Sequence, residues 1–498
     1  MKDIDGMKCV LEKKTHSELI ELLLRMAGIY PDVKRFIREN EAIASGKTNA
    51  LVDSLRREIV KVASQPAWSN HWNDERNLPD YSHLKESFES LLANGYHDEL
   101  IDLGEELWEC GNEQIEQSDD EGETQSDIAE CIEIVVGALL GSSMPPHEQI
   151  VWYIDKDLRD EYGLLYGCGD FLKSEAYGPD VWAKVAECLD ERLKSTKAKS
   201  GGPYSETWMR EKTVRWLIEA YRAANLDGRV IPLLERETES TALYKTLVEM
   251  LLQRGERERA KKWAIEGYKN TVENLRGVAG DLHELLREMA IDEGKFDLAV
   301  SYRVDDFLDG PSEKTYSELR EDSQKAGCWD AVREAALSYL ETGAFVRKST
   351  GAAPQLPQTD VGGLRKKCAV RRNVSPDLAT MIDVAILEKR LDDVVLLYRS
   401  YQKARDSSFA SHGRQEAVAD AVRRSHPDVA IEIWKSIVDA FIAQVKPDAY
   451  RSAKPFLNKI HQICEKENRL DDWRKMISEL RAAHKAKRRL MEVLNELP

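Results

Sequence analysis

The feature that most constrains the fold is a short pattern that recurs along the chain. Eight segments begin with a turn residue, and five of them carry an Asp three positions later. An apolar or small residue follows five positions after each start. The segments begin at Gly95, Asn225, Gly255, Gly294, Gly327, Arg390, His426 and Asn468, the copy at Asn225 being the weakest.

Each part of this pattern has a role at the junction of two helices. Gly or Asn tolerates the left-handed backbone that ends a helix, and Asp favours the first turn of the next one. The small or apolar residue then lets the paired helix approach closely. Neighbouring starts in the second half are mostly 30 to 42 residues apart, near the tetratricopeptide (TPR) length. The sequence therefore predicts an all-α fold, an α-solenoid of degenerate TPR-like helical hairpins.

Local patterns agree with helices and not with strands. Residues 15–18, Thr-His-Ser-Glu, fit a capping box at a helix start. Leu470, Trp473, Ile477 and Leu480 step by three and four, which makes one apolar stripe on a helix. Alternating β-branched runs with hairpin turns are essentially missing.

Three stretches interrupt the predicted array. We expect an acidic loop at 112–127, a flexible joint at 195–206, and a basic Gly- and Pro-containing loop at 343–376. The predicted parts are an N-terminal helical region at 1–194, central TPR-like repeats at 207–342 and C-terminal TPR-like repeats at 377–498.

The composition indicates which partners and which cell compartment are favoured. The formal net charge of −17 disfavours nucleic acid and anionic membranes as general partners. No apolar run reaches the length of a membrane span, and the opening residues lack the apolar core of a secretory signal. None of the eight cysteines lies close to another, which is typical of reduced thiols in a cytoplasmic protein.

Catalytic and cofactor motifs are not found. The sequence contains no GxxxxGK followed by Ser or Thr, no GxSxG, no HExxH and no GxGxxG. Acids in the segment SDDEG at 118–122 lack the alternating spacing of a calcium-binding loop, so a solvated interhelical loop is favoured. We expect no enzymatic activity, no cofactor and no metal, the alternative being an active site assembled from distant residues.

Two groups of residues are candidates for contact with a partner. Trp68, Trp72 and Tyr81 form a dense aromatic group of the kind that anchors protein interfaces, although such rings also fill cores between helices. Two basic clusters could contact nucleic acid or an acidic protein, although a solvated loop and a helix C-terminus also explain them. These clusters comprise Arg365, Lys366, Lys367, Arg371 and Arg372 in the loop, and Lys485, Lys487, Arg488 and Arg489 near the C-terminus.

Several segments resemble the helical region of SWIM zinc-finger family proteins. The similar features are the Asp80-Tyr81 pair before a leucine-rich helix, LLANGYHDEL at 91–100, and the acidic loop with Gly122. Residues 17–37 and 449–494 also resemble this family. Its finger uses a CxC pair and a CxH pair as zinc ligands, and this sequence has neither, so no ligand is carried over. The resemblance implies a helical-repeat region without its finger, in a family associated with DNA-related or helicase-linked contexts.

We therefore predict a non-enzymatic scaffold for protein–protein interactions. Its concave helical surface would bind another protein or a peptide, since solenoids present extended surfaces of this kind. The alternative is an accessory subunit of a nucleic-acid-processing or defence complex that contacts DNA or RNA through the basic clusters.

Overall fold

The computed structural model describes residues 11–70, 75–195, 204–345, 356–362, 376–404 and 412–498. Those residues form 23 α-helices, three short 3-10 helices and one two-stranded β-hairpin. The chain divides into two compact units, one up to Leu243 and the other from Tyr244 onward. This boundary lies inside the segment that was predicted as a single set of central repeats. The all-α repeat fold is confirmed.

Unit 1 contains ten α-helices and the β-hairpin. They are α1 (His16–Ile29), α2 (Pro31–Ala44), α3 (Asn49–Ala63), β1 (Trp68–Asn70), β2 (Glu75–Asn77), α4 (Ser82–Ala93), α5 (His97–Glu116), α6 (Glu123–Ala138), α7 (Pro146–Arg159), α8 (Pro179–Ser195), α9 (Tyr204–Ala223) and α10 (Val230–Thr241). Its core runs from Ile43 in α2 to the residues that follow α7.

Unit 2 contains thirteen α-helices in sequential hairpins. They are α11 (Tyr244–Gln253), α12 (Arg257–Thr271), α13 (Arg276–Asp292), α14 (Phe296–Asp309), α15 (Glu313–Lys325), α16 (Trp329–Thr342), α17 (Leu378–Leu387), α18 (Leu391–Ala404), α19 (His412–Val422), α20 (Pro427–Ala443), α21 (Pro447–Lys466), α22 (Leu470–Ala483) and α23 (Arg488–Asn495). Most helices contact the helix before and the helix after them, as in a repeat array.

The recurring pattern takes the predicted place at helix junctions. Six of its eight start residues have a positive φ, between 56° and 79°: Gly95, Asn225, Gly255, Gly294, Gly327 and Asn468. The Asp three positions later lies in the first turn of α5, α14, α16, α18 and α22. All eight residues at the fifth position are buried. The pattern therefore marks where one helix ends and where its successor enters the core.

The acidic stretch at 112–127 is mostly helical, which corrects its predicted extent. Helix α5 continues to Glu116 and α6 begins at Glu123, so the connection covers only residues 117–122. Asp120 is buried there and accepts hydrogen bonds from the backbone N–H groups of Gly122 and Thr124, at 3.1 and 2.9 Å. Burial alone would raise the pKa of Asp120, but hydrogen bonds from Thr124 and Gly122 lower it below its ordinary value. This carboxylate caps α6.

The β-hairpin was not predicted. Trp68 pairs with Asn77 and Asn70 with Glu75 in antiparallel register. The backbone N–H of Ser69 donates to the carbonyl of Asp119 at 2.8 Å, so the hairpin also holds the connection between α5 and α6. Three-residue strands carry too little alternation to be recognised in a sequence.

Helices also end and begin near the two other predicted interruptions. Helix α8 ends at Ser195 and α9 begins at Tyr204, with 196–203 outside the described residues. Helix α16 ends at Thr342 and α17 begins at Leu378. Within the described part of the chain, no helix is both long enough and apolar enough to cross a membrane.

Candidate protein-interaction surface

The predicted aromatic group is divided between the surface and the core. Trp68, on β1, is 38% exposed, whereas Trp72 lies outside the described residues. Tyr81 is only 2% exposed, so of the two roles considered for this ring it fills the core and is not available as a partner contact. Its hydroxyl donates to Oε1 of Gln114 at 2.6 Å.

The reason for the burial of Tyr81 is the packing of α3 and α5 around it. The Gln114 side chain on α5 donates in turn to the carbonyls of Val62 and Gln65, each at 2.9 Å. The ring belongs to the core of unit 1, and burial raises the pKa of Tyr81 above its ordinary value. The hydroxyl of Tyr81 thus has its hydrogen-bond partner inside the fold, and through Gln114 it connects the start of α4 with α5 and α3.

The C-terminal basic cluster is largely engaged in local contacts. Lys487 Nζ donates to the carbonyl of Ile442, in the last turn of α20, where a cation complements the helix dipole. Arg489 pairs with Glu492 at 2.9 Å, and Arg488 lies 3.8 Å from the same carboxylate. Lys485 is exposed. The loop cluster, which comprises Arg365, Lys366, Lys367, Arg371 and Arg372, lies outside the described residues.

A surface that the sequence did not single out lies on the first two helices. Of the 14 residues of α1, which the structure describes in full, none is buried. Leu24 is 67% exposed and Ile29 61% exposed, and Phe36 on α2 is equally open. We call this surface the N-terminal apolar face; its exposed members are Ile20, Leu22, Leu23, Leu24, Met26, Ile29, Tyr30, Phe36 and Ile37.

The sequence contained a signal for this face. Leu22, Leu23 and Leu24 are consecutive, so α1 is apolar on more than the one stripe that a core-facing surface helix needs. The capping box is present as predicted, since Thr15 and Glu18 exchange hydrogen bonds. Periodicity therefore identified the helix and its start. The sequence could not reveal that the other described residues of unit 1 leave the apolar side uncovered.

Polar contacts fasten α2 to the body of unit 1. His83 on α4 places Nδ1 2.8 Å from Oε1 of Glu58 on α3, and Nε2 3.2 Å from Oε1 of Glu39 on α2. Hydrogen bonds with Glu39 and Glu58 raise the pKa of His83 to about 9. A protonated imidazole thus links three helices. A cleft of about 250 Å³ beside it is lined by residues of the same helices, including Phe36.

The hydroxyl of Tyr96 adds a second fastening, because it donates to the carbonyl of Ile43 at 2.9 Å. Ile43 and Leu51 are buried beneath the cleft. The hairpin of α1 and α2 is therefore held from the α2 side, while α1 contacts mainly α2. This arrangement leaves the N-terminal apolar face open to solvent.

Metal-ligating side chains do not form a binding site within the described ranges. No three His, Cys, Asp or Glu side chains among those residues are placed to hold a metal ion. The six described cysteines are free thiols. Burial raises the pKa of Cys131 to about 12 and that of Cys168 to about 11, which keeps both thiols protonated and weakly nucleophilic.

Comparisons with known proteins add little to these observations. No protein-family model matches the chain, and no curated protein is detectably similar to it. One solved structure is described as "Circular tandem repeat protein with novel repeat topology and enhanced subunit contact surfaces". It is 15% identical over 96% of this chain and 91% of its own, with a TM-score of 0.13. So low a score supports no conclusion about function, and the similarity to the SWIM family stays a prediction.

Proposed function

We propose that this protein is a non-enzymatic scaffold that binds another protein through the N-terminal apolar face. The single observation that supports the proposal most is that no residue of α1 is buried, although such a helix normally buries its apolar residues. Contiguous apolar surface rimmed by polar residues is characteristic of sites where proteins interact. The binding site is thus assigned to α1 and α2, a more specific location than the concave surface suggested by the repeat pattern.

The residues of this face have the properties of an interface centre. Full burial of an exposed Leu, Ile or Phe side chain contributes about 1.5–3 kcal/mol, whereas association itself costs at least ~4 kcal/mol, so a specific complex requires that most members of this face are buried together. Glu18, Glu21 and Arg25 are exposed on the same helix and provide a polar rim. The partner that fits this chemistry is a protein that presents an apolar helix or groove.

The overall charge favours a protein partner over nucleic acid, because a net charge of −17 repels phosphate. Of the C-terminal basic residues, Lys487 bonds a backbone carbonyl, whereas the side chains of Arg488 and Arg489 stay 93% and 70% exposed beside Glu492. The free thiols also support the proposal that the protein works in the cytoplasm, where cysteines stay reduced.

Purification of the tagged full chain from its native host tests the proposal. We expect a stoichiometric companion protein to accompany the wild-type chain and to be lost from the double variant Leu24→Glu/Ile29→Lys. Neither residue is buried, so the helical circular dichroism of the variant should match that of the wild type.

The matched control is Tyr166→Glu, which changes a residue that is 95% exposed on another part of unit 1. This control should retain the companion. Recovery of the wild-type chain without any companion contradicts the proposal, as does a companion that the double variant retains.

A further inference from the structure

A short segment between α16 and α17 is seated on helices that lie far from it in the sequence. Residues 356–362, Leu-Pro-Gln-Thr-Asp-Val-Gly, belong to the predicted basic loop but contain no basic residue. Leu356 packs against the apolar core of α14, α15 and α16, and Val361 is fully buried. We call this segment the docked turn.

Polar contacts fix the docked turn to α12 and α14. The Thr359 hydroxyl donates to Oδ2 of Asp305 at 2.7 Å, and both residues are buried. Asp360 Oδ2 accepts a hydrogen bond from the Tyr302 hydroxyl at 3.2 Å and pairs with Lys261 Nζ at 3.0 Å. Thr359 and Asp360 therefore each have their own receptor group, while Gln358 is exposed, and a carboxylate takes part in each of these hydrogen bonds.

The receptor groups are themselves held in place. Tyr302 is fully buried, and its ring packs edge-on against His283, with centroids 4.9 Å apart. His283 Nδ1 lies 3.0 Å from Oδ1 of Asp306. Burial, and next the charge of Asp360, raise the pKa of Tyr302 above its ordinary value, which keeps the phenol protonated as a donor.

The backbone of the docked turn has a defined shape. The N–H of Gly362 donates to the carbonyl of Thr359 at 3.2 Å, which closes a four-residue turn of the kind that favours Gly at its last position. A Cβ atom at Gly362 would lie 2.7 Å from Thr359 Oγ1 and 3.4 Å from Asp305 Oδ2. A side chain at position 362 would therefore displace the hydroxyl of Thr359 within the same turn.

Together these contacts have the selectivity of a recognition site. Lys261 and Tyr302 hold the carboxylate of Asp360, Asp305 accepts a hydrogen bond from the hydroxyl of Thr359, and the side chain of Val361 is fully buried. Loops ordinarily run over the surface in contact with water, and Pro357, Gln358 and Asp360 do so, whereas Thr359 and Val361 are buried against the helices. The segment is thus bound in the manner of a peptide ligand.

We propose that this face of α12 and α14 is a peptide-recognition groove and that residues 356–362 are its internal ligand. The partner that this groove fits is a protein that presents an apolar-Pro-x-Thr-Asp-Val-Gly turn, which must displace the internal copy. The groove lies in unit 2 and shares no residue with the N-terminal apolar face, so the two proposals stand or fall separately.

Intramolecular competition sets the expected size of the effect. A tethered ligand acts at an effective concentration on the order of 1 mM. A peptide with an intrinsic dissociation constant of about 100 µM would therefore bind the wild-type chain roughly 10-fold more weakly than a chain with an empty groove.

The test uses a fluorescent synthetic peptide of residues 354–364, PQLPQTDVGGL, and measures fluorescence anisotropy with the full chain. The double variant Thr359→Val/Asp360→Ala weakens the internal copy, and we expect it to bind the peptide up to ~10-fold more tightly than the wild type. A second variant, with 356–362 replaced by Gly and Ser, provides the same test if the double variant is unstable.

Lys261→Glu, introduced into either variant, should abolish binding of the peptide. The matched control Lys262→Glu changes an exposed neighbour on the same helix and should leave binding of the peptide unchanged. A peptide with the Thr→Val and Asp→Ala changes should not bind. The proposal is overturned if neither variant binds better than the wild type while both keep its thermal midpoint. It is equally overturned if binding survives Lys261→Glu or the altered peptide binds as well.

Discussion

Substitution of one buried glycine tests how closely the helices of unit 2 approach one another. Gly267 lies on α12 between α11 and α13. A Cβ atom there would lie 2.6 Å from Tyr244 Cγ and 2.8 Å from Leu282 Cδ1. Both neighbours are buried in the core, so neither can move away freely. Gly267→Ala therefore forces apart two helix contacts that the repeat requires.

The expected magnitude combines two opposing effects. In an open helix, Gly→Ala stabilises the fold by about 0.5–1 kcal/mol. Overpacking a core costs about 1–3 kcal/mol, and contact with two rigid neighbours places this case in the upper part of that range. The net result is a destabilisation of about 1–2 kcal/mol, which lowers the unfolding midpoint of a unit of this size by about 3–6 °C.

Gly280 provides the matched control. It lies on α13, is exposed, and its Cβ position meets open space. Gly280→Ala should therefore raise the midpoint by about 1–3 °C. Thermal unfolding of the full chain, followed by circular dichroism, measures both shifts. If Gly267→Ala raises the midpoint as Gly280→Ala does, the helices are not packed as closely as described.

Two further predictions concern titratable groups. The pKa of His83 is raised from 6.5 to about 9. Its ion pairs therefore stabilise the attachment of α2 fully below pH 6.5, by about 3 kcal/mol at most, and this stabilisation is lost as the pH rises toward 9. Hydrogen exchange in α2, corrected for the intrinsic rate, should accelerate between pH 6.5 and 9 in the wild type and not in His83→Gln. The same pH dependence of exchange in both proteins would refute the role of the imidazole. Burial would raise the pKa of Glu388, but hydrogen bonds from Arg333, Tyr316 and Arg390 lower it to about 2. The ionised carboxylate therefore contributes to the unfolding free energy above pH 4.5, and this contribution is lost as the pH falls toward 2. Glu388→Gln should lower the unfolding free energy at pH 7 by about 2–3 kcal/mol, and the difference from the wild type should shrink in melts at pH 3; a constant difference would contradict this assignment.

The sequence predicted the helical repeats because their determinants are local. Gly255, Gly294 and Gly327 adopt the left-handed conformation that ends a helix, and the small Ala260 and Ala299 lie where the next helix enters the core. Backbone conformation and burial at these positions depend on residues only a few places away. Such patterns can be read without knowing the rest of the fold.

The sites were harder to predict because they depend on distant residues. Tyr81 is buried by Gln114, which lies 33 positions away, and the docked turn meets Lys261 nearly a hundred positions from Asp360. The capping box located the start of α1 correctly but could not show that nothing in the described part of unit 1 covers its apolar residues. Burial in these cases is a property of tertiary contacts and not of the local pattern.

Site-specific photo-crosslinking in the native host tests the central claim most directly. A benzophenone amino acid at position 24, on the N-terminal apolar face, should form an adduct with one other protein on irradiation. The same amino acid at position 166, an exposed site on another part of unit 1, should not form this adduct. Absence of an adduct at position 24, or the same adducts from both positions, would show that α1 does not bind a partner.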